Sequence, residues 1–145
     1  MTALKTSLLI LCLIMSTSGF TADLVRSYLE VSPTNEADLD SLLTAIEETL
    51  IEDTPTQSPV VVILHGDEAF SFTRENYLEK KELVDRAAML AAYDLIDVRM
   101  CQTWMNENNV TPSDIPPFIE TVPYAPEEIK RLQEQGFIPY DPVRL

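Results

Sequence analysis

The chain has 145 residues, of which 46% are hydrophobic, 23% are charged and only 3 are glycine, which excludes collagen-like, low-complexity and globally disordered classes. Ten Lys and Arg stand against 24 Asp and Glu, for a formal net charge of −14. Such a surface repels phosphate backbones and anionic lipid heads, so nucleic acid and charge-driven membrane adhesion are not expected partners.

At the N terminus, Lys5 precedes an apolar run from Leu8 to Met15, followed by the small residues Ser16, Thr17, Ser18 and Gly19. That is the pattern of a secretory signal over residues 1–18, too short for the ~20 apolar residues of a membrane span. Its removal takes Cys12 with it and leaves Cys101 as the one cysteine of an exported, most simply periplasmic, chain. A lone cysteine in an oxidising compartment is either a reactive or intermolecularly pairing thiol, or a small buried hydrophobe.

A domain over residues 24–140 follows. Leu24 to Val31 leans toward strand without a clean period. Ser32, Pro33, Thr34 and Asn35 offer helix-starting chemistry, and Leu39, Leu42, Leu43, Ile46 and Leu50 recur at helical spacing. Pro55 and Pro59 bracket a polar linker. Val60 to Leu64 is then an unbroken apolar run of strand length, the signature of a strand buried on both faces of a parallel sheet.

His65 and Gly66 end this strand. Asp67 to Thr73 reads as a loop, with the acids Asp67 and Glu68 expected to be solvated, before a helix carrying Tyr77, Val84, Ala87, Ala88 and Ala91. Leu95 to Met100 forms the next strand, Ile96, Val98 and Met100 alternating with Asp97 and Arg99, and Cys101 stands at its carboxyl end. A short helix around Trp104 and Met105, turns from Thr111 to Pro117 and a strand over Phe118 to Val122 come next. Pro126, Glu127, Glu128 and Gly136 frame a last helix. Phe137 and Ile138 suit a short edge strand before Pro139, and 141–145 reads as a loose tail.

Strands alternating with helices predict an α/β domain: a three-layer α/β/α sandwich on a mostly parallel sheet of four to five strands, with right-handed crossovers. Ligands of such sheets bind beyond the carboxyl ends of the strands, where both His65 and Cys101 are expected. If their strands are neighbours, the imidazole can take the thiol proton; taken alone, His65 reads first as a strand-end residue satisfied by hydrogen bonds and only second as a base. The chain's single histidine excludes a multi-histidine metal site, and neither GxxxxGK[ST] nor GxGxxG occurs.

Val60-Val-Val-Ile-Leu-His-Gly66, Asp85-Arg86-Ala-Ala through Leu90, a strand ending at Cys101, Val122-Pro123 and Leu132-Gln-Glu-Gln-Gly-Phe137 together resemble the DsrE/DsrF-like sulfur-relay family, in its exported branch. The resemblance implies an α/β/α fold, homo-oligomers such as trimers or hexamers, and sulfane sulfur carried as a persulfide on Cys101. It further implies exchange with a thiol-bearing donor or acceptor protein, without metal or organic cofactor. The rival expectation is a noncatalytic oligomeric binding or assembly module around an inert, packed Cys101.

Overall fold

The computed structural model describes residues 25–31, 36–51 and 59–140. The signal-like segment 1–18, the helix-start residues 32–35, the linker around Pro55 and the tail 141–145 lie outside them. Five strands form one sheet: β1 (Ser27–Glu30), β2 (Val60–Leu64), β3 (Ile96–Cys101), β4 (Glu120–Val122) and β5 (Ile138–Pro139), in the order β4-β3-β2-β1-β5. Every pairing is parallel. The expected three-layer α/β/α architecture is thus the one observed.

Four α-helices connect the strands: α1 (Glu36–Ile51), α2 (Lys81–Ala92), the short α3 (Gln102–Glu107) and α4 (Ala125–Glu134). From β1 through β4 the chain steps across the sheet in one direction. It then returns over the whole width to β5, so right-handed crossovers place α1 and α2 on one face and α4 on the other. Side-chain contacts agree. Arg86 of α2 forks onto Glu47 of α1, with Nε and Nη2 each 3.1 Å from a carboxylate oxygen, while Gln133 of α4 donates to the Tyr28 hydroxyl at 2.8 Å.

Hydrophobic pattern explains the layering. Val60, Val61, Val62, Ile63 and Leu64 are all buried, because helices cover both sides of this central strand. Complete burial of each such side chain contributes about 1.5–3 kcal/mol. Leu39, Leu42, Leu43 and Ile46 bring one stripe of α1 onto the sheet, and Val84, Ala87 and Leu90 do the same for α2. Helix α4 has a proline in its first turn and ends just before Gly136, whose φ of +85° is a left-handed conformation that L side chains rarely adopt.

Several boundaries differ from expectation, among them β4, which begins at Glu120 rather than Phe118. Asp67–Phe72 is a 3-10 turn rather than an open loop, and α2 begins only at Lys81. Tyr77 therefore precedes the helix, and its hydroxyl donates back to Asp85 at 2.9 Å. Pro139 lies within β5 rather than after it, a position open to proline because the strand is at the sheet edge.

Candidate functional site

The two predicted site residues sit at the carboxyl ends of adjacent central strands. The register pairs Ile63 with Arg99 and Leu64 with Met100, so His65 comes level with Cys101, their backbones about 5 Å apart. The pleat gives Arg99 and Cys101 one face of β3, and Arg99 reaches Glu128 of α4, which identifies that face as the one beneath α4. Cys101 pairs with Val122 on its other side.

This junction is a topological switch point. The connection leaving β3 runs toward the α2 side, where the amide of Arg74, in the segment before that helix, donates to the Asp114 carbonyl, while the connection leaving β4 is α4 on the opposite face. Neighbouring strands whose exits diverge leave a crevice between their carboxyl ends. Here side chains bridge it. Gln102 Nε2 donates to Thr121 Oγ1 at 2.9 Å, and Thr103 Oγ1 donates to the Pro123 carbonyl at 3.0 Å. The sulfur-bearing residue beneath is 2% exposed, a free thiol enclosed within the isolated chain.

His65 stands beside Cys101 but its ring is committed elsewhere. Nε2 lies 3.0 Å from Oε1 of Glu30, at the end of β1, the neighbour of β2 away from β3. The strand-end role satisfied by hydrogen bonds is the one this contact supports, and it draws the imidazole away from the sulfur. Glu30 gave no sequence signal, because its partner lies 35 positions along the chain and the pairing depends on the β1–β2 register.

Glu68 overturns its expectation. It is 2% exposed rather than solvated, because one oxygen, Oε1, accepts the backbone N–H of both His65, at 3.0 Å, and Gly66, at 2.9 Å. That clamp folds the 3-10 turn down over the strand ends. The other oxygen, Oε2, is buried with no hydrogen-bond partner. The turn also reaches α3, where the Phe70 ring meets Trp104 edge-on.

Two residues before Cys101, Arg99 is held by Asp97 and by Glu128, and Glu128 also takes Arg131. Hydrogen bonds from Arg131 and then Arg99 outweigh burial and hold the Glu128 carboxyl below its ordinary range. Burial opposes the Arg99 charge, but Asp97 and Glu128 overcome it and keep that guanidinium above its usual value. The Arg99 charge is thereby neutralised locally rather than offered to the thiol.

A cavity of about 450 Å³ lies elsewhere, between α2 and the β3–β4 connection, walled by Phe72, Tyr77, Val84, Ile115 and Phe118 among others. Neither His65, Glu68 nor Cys101 lines it. Among the described residues no group of three or more His, Cys, Asp and Glu side chains could hold a metal ion, and no helix is long and apolar enough to cross a membrane.

No family description matches the sequence, and no curated protein matches it. Solved structures do share the fold. One is a protein of unknown function, MTH1491, from Methanobacterium thermoautotrophicum, similar with a TM-score of 0.66 at 14% identity over 80% of this chain and 97% of the other. At that identity the likeness shows a common α/β architecture.

Proposed function

We propose that this chain is an exported sulfur carrier of the DsrE/DsrF-like kind, holding sulfane sulfur as a persulfide on Cys101. The observation that carries the reading is the position of Cys101 in the β3–β4 switch crevice, level with His65 at the carboxyl ends of the central strands. The order of the sequence motifs that resemble the family supports it, and the apolar segment from Leu8 to Met15 supports export, most simply to a periplasm. The proposal extends to a homo-oligomer, trimer or hexamer, and to a thiol-bearing protein as donor or acceptor.

The chemistry conserves atoms and electrons. The Cys101 thiolate attacks the outer sulfur of a persulfide R–S–SH; the Sγ–S bond forms as the donor's S–S bond breaks, and R–S⁻ leaves and is protonated. The products are Cys101–S–SH and R–SH. Because the sulfur is enclosed, transfer requires local opening of the strand ends that Gln102 and Thr103 bridge.

That same enclosure favours a second reading, a noncatalytic assembly module in which Cys101 is a packed hydrophobe. Intact mass after incubation with inorganic polysulfide separates the two. The carrier gains the mass of sulfur on the folded chain and the Cys101→Ser variant gains none. An unmodified wild-type chain overturns the carrier and leaves the module.

A further inference from the structure

The cleft of about 450 Å³ between α2 and the β3–β4 connection has mostly apolar walls and falls in the size range of small-molecule sites. Phe72 and Val84, both buried, and Tyr77, Ile115 and Phe118, all half-buried, supply those walls. Its two sides are already joined, because the Arg74 amide donates to the Asp114 carbonyl at 2.6 Å. A cleft fixed in this way binds without first being ordered. The charges at its rim differ in what they have left to offer. Asp85 accepts from the Tyr77 hydroxyl at 2.9 Å and pairs with Lys81. Asp114 accepts both the hydroxyl and the amide of Thr111, and those bonds, with the Arg74 charge adding less, hold its carboxyl below the ordinary range. The guanidinium groups of Arg26, Arg86, Arg99 and Arg131 each hold a carboxylate or a carbonyl. Among the described arginines, Arg74 alone has a guanidinium without a hydrogen bond or ion pair, and it lines the cleft. In a chain of 24 acids and ten Lys and Arg, that is an available fork of donors beside an apolar surface.

We propose that this cleft binds a small amphipathic carboxylate, its aryl or alkyl body among Tyr77, Ile115 and Phe118 and its carboxylate on the Arg74 guanidinium. A planar guanidinium takes a carboxylate through two parallel N–H bonds, while the apolar walls take the body out of water. An amine of the same shape would have to displace Lys81 from Asp85 or Thr111 from Asp114, whereas the anion displaces nothing. Arg74 is exposed, so its pair with the ligand is screened by salt and sets a modest preference; the body supplies most of the affinity. Neither His65 nor Cys101 lines the cleft, so the site stands whether or not the thiol carries sulfur.

The test compares three probes with one body: phenylbutyrate, phenylbutanamide and phenylbutylamine, each titrated to about 5 mM into the isotope-labelled protein and followed by amide correlation spectra, since ligands of this size bind with Kd of about 1 mM. The acid should give saturable shifts at Phe72, Tyr77, Val84, Ile115 and Phe118 and bind about three- to fivefold more tightly than the amide at low salt. Arg74→Gln should bring the acid down to the amide and leave the amide where it was, and high salt should do the same to the wild type. Ala88→Phe, which fills the cleft from α2 and keeps Arg74, should abolish binding of both. Absence of saturable shifts with all three probes overturns the site, and acid binding unchanged in Ala88→Phe overturns its location. Tightest binding of the amine makes Asp85 and Asp114 the reading groups and overturns the anionic class. A preference for the acid that survives in Arg74→Gln overturns the role of Arg74.

Discussion

The rings of Phe70 and Trp104 meet with centroids 4.8 Å apart and planes inclined at 71°, joining the 3-10 turn after β2 to the helix that begins after Cys101. Trp104 is buried and Phe70 is 37% exposed, so the contact forms the outer fastening of the cover over the strand ends. Edge-to-face pairs of this kind contribute about 0.5–1.5 kcal/mol beyond the area they bury. Phe70→Ala should therefore raise the rate of Cys101 alkylation at neutral pH several-fold, followed by mass, with a change in Trp104 fluorescence. An unchanged rate would mean that the thiol is reached by another route or by global unfolding.

Acid should loosen the junction between β3 and α4. Glu128 is 8% exposed and its carboxyl is held below the ordinary carboxylate range by Arg131 and Arg99. The folded state thus binds that proton less readily than the unfolded state. The associated stability is present above the ordinary carboxylate range and is lost as pH falls through the lower folded value. Melting temperature measured from pH 7 down to pH 2.5 should fall along this limb in the wild type and more shallowly in Glu128→Gln. At pH 7 the variant should be destabilised by about 1–2 kcal/mol, because Arg99 loses a charged partner while keeping Asp97.

Gly136→Ala should cost about 1 kcal/mol. The position has φ of +85°, strained for any L side chain, although an added Cβ would meet nothing closer than Arg26 Nη2 at 3.8 Å. The penalty is therefore conformational and not steric, and urea unfolding should show a lower midpoint with an unchanged slope.

Leu43→Ala should cost about 2–5 kcal/mol. Leu43 is fully buried where α1 meets the sheet, and truncation leaves a cavity between layers that already interdigitate. A loss below 1 kcal/mol in the same urea experiment would show that α1 is less firmly seated than its buried stripe indicates.

Those elements whose stability comes from hydrophobic pattern were legible in the chain. Val60 to Leu64 reads as a doubly covered strand because nothing in it tolerates water, and Gly136 marks a helix end through a backbone demand. Relationships set by register were not legible. Glu68 looks like any acid in a charged loop, and its burial depends on a turn that points two amides at one oxygen. Glu30 and His65 meet only because β1 pairs with β2 in one alignment. Asp85 and Arg86, part of the motif that suggests a family, prove to be fasteners of α2: Lys81 and Tyr77 hold the first, and α1 holds the second. The strand-end position of Cys101 is legible from the alternation before it, while the bridges from Gln102 and Thr103 to β4 and its exit are contacts no spacing rule announces.

The two borders of the sheet carry a last consequence. On one side β4 has three residues; on the other β5 has two, one of them a proline without an amide hydrogen. Among the described residues, neither edge is a long backbone rail of the kind on which another strand docks. Side chains on the helical flanks and around the rim above Cys101, rather than strand edges, are the surface open to recognition among those residues.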